Sequence, residues 1–118
     1  MERIRAVLRR ARPAAPERFE AGPVEIDLAT RVVRAARRPV TLSQKEFSLL
    51  VRLAREPKRV FTKDELLRDV WGYLAHARTR TLDSHASRLR RKLRAADPAT
   101  AYVENVWGVG YRLLGIGS

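Results

Sequence analysis

The spacing of apolar residues shifts along the chain from helical to alternating, back to helical, and at the end to alternating again. Ile4, Val7, Leu8 and Ala11 recur at i, i+3, i+4 and i+7, so residues 2–12 predict a short amphipathic helix ringed by Arg3, Arg5, Arg9, Arg10 and Arg12. A helix so short does not hold alone in water, so the stripe asks for a partner elsewhere, as in a piece of a longer protein. The alternative is a basic arm for a membrane surface or a nucleic acid. Pro13-Ala14-Ala15-Pro16 then reads as a linker, which divides the chain into an appendage, 1–17, and a domain, 18–118.

From there the period is two. Val24, Ile26 and Leu28 alternate with Glu25 and Asp27, Ala29-Thr30 is a turn candidate, and Arg31–Ala35 and Pro39–Leu42 predict two more strands. Residues 17–20 are a candidate edge strand. The sum is a small antiparallel sheet.

Two helix starts follow, each marked by a capping box in which a hydroxyl and a carboxylate satisfy orphan N–H groups reciprocally. Ser43-Gln44-Lys45-Glu46 opens a helix with the stripe Phe47, Leu50, Val51 and Ala54, closed near Pro57. Thr62-Lys63-Asp64-Glu65 opens another with Leu66, Leu67, Val70 and Trp71 inside and Gly72 as C-cap. Lys45 and Lys63 are expected to face solvent, and Trp71 to be core.

Residues 78–95 carry seven Lys and Arg against the single acid Asp83, a net of +6. Leu82, Ala86, Leu89 and Leu93 make one narrow apolar stripe, with Arg80, Ser84, Ser87, Arg88 and Arg91 opposite and His85, Arg90 and Lys92 on the flanks. The cations lack acidic partners at i+4, so a merely solvated face would repel itself. A major groove about 12 Å wide admits one helix. Small serines let its backbone approach, arginine forks fit guanine O6 and N7, and flanking cations meet phosphates. Tyr102–Val106 and Tyr111–Leu114 predict a hairpin with Trp107-Gly108-Val109-Gly110 at its tip. Trp107 either folds back onto the sheet or reaches the minor groove or sugar backbone. Tyr111 is expected to be core with a free hydroxyl.

Composition narrows the partner class. The 118 residues hold 25 Lys and Arg and 13 Asp and Glu, a net charge of +12, which selects polyanions. Zero cysteines exclude disulfide scaffolds, thiolate metal sites and cysteine catalysis. The two histidines, His76 and His85, cannot make a histidine-rich metal site, and no apolar run nears the roughly 18 residues of a membrane helix. No cofactor or metal is expected. No nucleophile–base set or carboxylate pair stands in a catalytic arrangement, so an enzyme is disfavoured. A basic RNA-binding protein fits size and charge, but the strands at 24–42 show no aromatic platform.

The strings LSQKEFSLLVRL (42–53), VFTKDELLRDVWG (60–72), RTLDSHASRLRRKL (80–93) and NVWGVGYRL (105–113), in that order, resemble the DNA-binding effector domain of OmpR/PhoB-type response regulators. The resemblance covers residues 18–114. It implies an α+β winged helix-turn-helix: an N-terminal antiparallel sheet, three helices and a C-terminal β-hairpin wing, 102–114. Helix 80–94 is then the recognition helix in the major groove and 63–71 the helix before it. The resemblance assigns phosphate contact to Trp71, Arg80, Thr81 and Tyr111, base contact to Ser84, Ser87, Arg88 and Arg91, and either to His85 and Arg90. Arg78 joins them as a cation of the same segment, and Trp107 stands where many members carry a minor-groove arginine. Asp83 matches a family acid and reads on its own as a helix-dipole partner in the first turn. Residues 2–17 resemble the last receiver-domain helix and interdomain linker. The implied partners are double-stranded DNA as direct repeats, RNA polymerase through loop 72–79, and an upstream receiver domain with its histidine kinase. The implied setting is cytoplasmic, in transcription regulation by phosphorelay.

Overall fold

A computed structural model describes residues 18–72 and 79–114. The appendage at 1–17 and the loop residues 73–78, Arg78 and His76 among them, lie outside the described residues.

Strands β1 (Arg18–Ala21), β2 (Val24–Asp27), β3 (Val32–Ala35) and β4 (Arg38–Val40) form an antiparallel meander in chain order. The candidate edge strand is real and pairs Phe19 with Ile26. The expected strand ends shift by a residue or two, for local reasons. The Asp27 carboxylate accepts from the N–H groups of Ala29 (3.0 Å) and Thr30 (3.1 Å), which folds the chain before Leu28 can extend β2. Arg31 takes φ 61°, so β3 starts one residue later. Ala36 and Arg37 both take positive φ, 51° and 69°, the geometry of a tight two-residue hairpin turn, and β4 therefore begins at Arg38.

Helix α1 (Gln44–Ala54) starts at the expected capping box: Ser43 Oγ accepts from the Glu46 N–H and Glu46 Oε1 from the Ser43 N–H. The second box, at Thr62, is also formed, but only α2 (Lys63–Leu66) is α-helical. Leu67–Trp71 continue as a π-helical turn that ends at Gly72, φ 71°. A regular helix was expected there; the widened turn swings Trp71 inward, where it is 8% exposed. Helix α3 (Thr79–Ala96) is the longest element. Strands β5 (Phe61–Thr62), β6 (Tyr102–Val106) and β7 (Gly110–Leu114) form a second antiparallel sheet in the order β5-β7-β6.

One core joins the layers. Val24, Ile26 and Val33 from the first sheet, Leu49, Leu50 and Leu53 from α1, Leu82, Leu89 and Leu93 from α3, and Phe61, Val103 and Leu113 from the second sheet are all essentially inaccessible. The Leu114 N–H donates to the Pro57 carbonyl (2.8 Å), tying the last strand to the end of α1. Gly110 is required where β5 meets β7: a Cβ there would lie 1.8 Å from the Phe61 carbonyl oxygen.

Candidate nucleic-acid interface

Helix α3 buries Leu82, Ala86, Leu89, Leu93 and Ala96 and turns Arg80, Ser84, Ser87, Arg88, Arg91 and Arg94 outward. This is the division of faces that the periodicity predicts. The outward side is a shallow concavity of about 620 Å³ lined by Thr79, Arg80, Asp83, Ser84, Ser87, Arg88 and Arg91. Among the described residues no ion pair neutralises Arg80, Arg88 or Arg91.

The flanks of α3 also tie the helix to its neighbours. Lys92 Nζ lies 2.6 Å from Glu46 Oε1, so the carboxylate that caps α1 also holds α3. Burial pushes the Glu46 carboxyl up, but the Lys92 ammonium and the Ser43 N–H and hydroxyl outweigh it and hold the group below the usual carboxylate range. Arg90 Nε donates to the Val103 carbonyl (3.0 Å), which joins the helix to β6. Val103 has φ 55°, an outlier for a β-branched residue, and its carbonyl meets Arg90 from that conformation.

The wing, β6 and β7, is fastened to α3 a second time, through Tyr111, Asp83 and Lys63. The Tyr111 hydroxyl donates to Asp83 Oδ1 (2.6 Å), and Lys63 Nζ stands 3.2 Å from the same oxygen. The Lys63 ammonium also lies 5.8 Å from the centre of the Tyr111 ring. Four expectations are corrected here. The Tyr111 hydroxyl is not free: burial and the Asp83 carboxylate both push its pKa up. Asp83 is not in the first turn of α3 but one residue beyond it, where it receives Tyr111 and Lys63. Lys63 does not simply face solvent, and neither does Lys45, whose ammonium donates to the Val70 carbonyl (3.0 Å) and lies 5.8 Å from the Trp71 ring.

Trp71 is core, as expected, with its indole edge-on to His85 at 5.1 Å between ring centres. His85 Nδ1 is 2.8 Å from the Thr81 carbonyl. A carbonyl only accepts, so Nδ1 carries the proton and Nε2 is left with its lone pair in the neutral ring. Trp107 does not fold back: it is 91% exposed at the wing tip, beside half-exposed Val109, above a hollow shared with Thr62, Lys63, Asp64 and Asn105. The Val109 N–H closes the tip on the Val106 carbonyl (2.9 Å), with Gly108 at φ 77°.

The structure thus brings Arg80, Ser84, Ser87, Arg88 and Arg91 onto one face. It sets Thr81 and His85 along its Trp71 side and engages Arg90, Tyr111 and Trp71 in packing. The reading from sequence missed Thr79 and Arg94 at the ends of the face and the Tyr111–Asp83–Lys63 tie. Helical phase could have found Arg94; a contact spanning 28 residues leaves no periodic signal. Among the described residues no group of three or more His, Cys, Asp or Glu could hold a metal, and no helix is long and apolar enough to cross a membrane.

Comparison with known proteins agrees with this arrangement. The family model for the C-terminal part of transcriptional regulatory proteins matches residues 37–113. The transcriptional regulatory protein SrrA of Staphylococcus aureus is 39% identical over 119 residues, covering 93% of this chain and 49% of SrrA. The chain therefore spans about half the length of the curated relatives it matches. Among solved structures, the response regulator AdeR DNA-binding domain in complex with an intercistronic region is 34% identical. Its TM-score is 0.70, over 79% of this chain and 95% of that one. The Klebsiella pneumoniae RstA DNA-binding domain in complex with the RstA box is 28% identical. Its TM-score is 0.69, over 83% and 97% of the respective chains. The family match runs from the turn before β4 through the two capped helices, α3 and the wing, the elements that build and hold the basic face. The chain belongs to the C-terminal effector domains of transcriptional regulatory proteins, of the OmpR/PhoB response-regulator type.

Proposed function

We propose that this chain binds double-stranded DNA sequence-specifically as the effector part of a two-component transcriptional regulator. Helix α3 lies in the major groove and the β6–β7 wing rests on the adjacent minor groove or backbone. The observation that carries the reading is the outward face of α3, with three arginines free of ion pairs among the described residues around two serines. Ser84, Ser87, Arg88 and Arg91 face base edges. Arg78, Arg80, Thr81 and Arg90 serve the phosphates on either side, with His85 and the edges of Trp71 and Tyr111 behind them. Trp107 supplies the wing contact. The role is one of binding rather than catalysis, exercised in the cytoplasm on direct repeats. An upstream receiver domain, phosphorylated by a histidine kinase, controls pairing, and loop 72–79 is available to RNA polymerase.

The decisive comparison is the affinity of wild type and Arg88→Ala for a selected duplex and for its scrambled counterpart. Loss of about 1–3 kcal/mol of discrimination, with scrambled binding nearly unchanged, is expected for a lost base contact. Equal weakening on both duplexes would mean that Arg88 meets only phosphate.

A further inference from the structure

We infer that α3 is a guanine reader: the directly contacted core of each half-site is built on guanine O6 and N7, and no adenine in it is read through N6 and N7. The inference rests on the duplex-binding reading above and narrows it to a class of sequence.

The argument is one of donors and acceptors. In the major groove guanine shows two acceptors, adenine one acceptor and one donor, and cytosine a donor. Reading adenine well takes an amide, which has both; reading cytosine takes an acceptor such as a carboxylate. Thr79–Ala96 contains neither Asn nor Gln. Its single carboxylate, Asp83, is turned to the Tyr111 hydroxyl at 2.6 Å and to Lys63 at 3.2 Å, so its Oδ1 is occupied at the root of the wing. What remains on the outward face is Arg80, Arg88 and Arg91, which only donate, and Ser84 and Ser87, which donate or accept with little preference.

Position supports the same conclusion. At about 100° per residue, Ser84 and Arg91 lie within about 20° of each other at the middle of the face, with Arg80 and Arg88 about 40° to either side of Ser84. With a rise of about 1.5 Å per residue, Arg88 and Arg91 are offset by about 4.5 Å, close to one base-pair step. They therefore address neighbouring base pairs. Short Ser84 and Ser87 beside them let the helix sit deep enough for forked contact.

The test is a selection by the 118-residue chain from a randomised duplex library at physiological salt. The enriched site is then resynthesised with 7-deazaguanine or 7-deazaadenine at single positions, which removes N7 and leaves base pairing intact. The expected core contains neighbouring G·C pairs, where 7-deazaguanine weakens binding by about 5- to 150-fold and 7-deazaadenine by less than about twofold. Arg88→Ala and Arg91→Ala should each abolish sensitivity at one guanine. A core without guanine, sensitivity to 7-deazaadenine there, or indifference to 7-deazaguanine throughout would overturn the inference and leave specific duplex binding standing. Salt-dependent binding with no enriched motif would overturn both.

Discussion

Lys92 is 41% exposed in its side chain and Glu46 only 3%, yet removing the exposed partner should cost more stability than neutralising the buried one. Glu46→Gln keeps the side-chain length and the oxygen that accepts from the Ser43 N–H, so the cap survives. What disappears is the charge-assisted part of a 2.6 Å contact, about 1–1.5 kcal/mol at an ammonium this well solvated. Lys92→Met keeps the aliphatic stem against the core but strands a carboxylate that is nearly inaccessible and has only the cap for company. Loss of one partner of a fully buried pair costs about 3–5 kcal/mol, and the remaining cap bonds reduce this to about 2–3 kcal/mol. In a domain of this size the gap between the variants is then several degrees in Tm.

The pH dependence adds a signature. The Glu46 pKa is depressed in the folded state, so its contribution is fully present above the unfolded value of about 4.5 and is lost as pH falls through the lower folded value. The deficit of Lys92→Met should be full at pH 7 and shrink as pH falls below 4.5 toward the lower folded value of the wild type, beneath which both proteins carry a neutral Glu46. Urea unfolding of the three proteins at pH 7 and pH 3.5 measures this. A Lys92→Met deficit smaller than that of Glu46→Gln, or one unchanged by acid, would refute the reasoning.

Other elements give equally definite expectations. Tyr111 has its folded pKa raised above 10, so its contribution is complete below pH 10 and fades above it; in the folded protein its phenolate absorbance should be missing at pH 10, and Tyr111→Phe should cost about 1–2 kcal/mol in chemical unfolding. Gly110→Ala drives a methyl into the Phe61 carbonyl and should destabilise by more than about 3 kcal/mol, with amide exchange quickening first in β5 and β7. With Trp71→Phe leaving one indole, Trp107 emission should start near that of water-exposed tryptophan and shift when cognate duplex is added; an unchanged spectrum would rule out wing contact.

How much of this was legible in the sequence depends on the range of the force involved. Both capping boxes, the Gly72 cap, the leucine stripe of α3 and its arginine–serine face were legible because they are repeats and spacings within a few residues. The π-helical turn at Leu67–Trp71 was not, since nothing in the local pattern distinguishes it from an α-helix whose last tryptophan is drawn inward by His85 and Lys45. The hairpin at Ala36-Arg37 lacks the usual Asn-Gly signal, and its tight turn is imposed by pairing on either side. Lys92–Glu46, Arg90–Val103 and Tyr111–Asp83 join residues 46, 13 and 28 positions apart, and packing alone brings them together. Spacing therefore revealed which side chains face outward but not what holds the helix that carries them.

The division of labour on α3 bears on how such a domain can change its target. The residues that seat the helix (the leucines, Lys92, Arg90 and Asp83) are a different set from the arginines and serines it presents. The presented set is interchangeable in principle, because replacing Ser84, Ser87, Arg88 or Arg91 disturbs no cap, strand or buried contact among the described residues. The helix behaves as a keyed cartridge whose lock-side teeth can drift while its mounting stays fixed. On the proposed duplex-binding reading, lineages acquire new target sequences by a few outward substitutions without passing through unfolded intermediates. A designer can transplant a foreign reading face here provided that Asp83, Arg90 and Lys92 are kept.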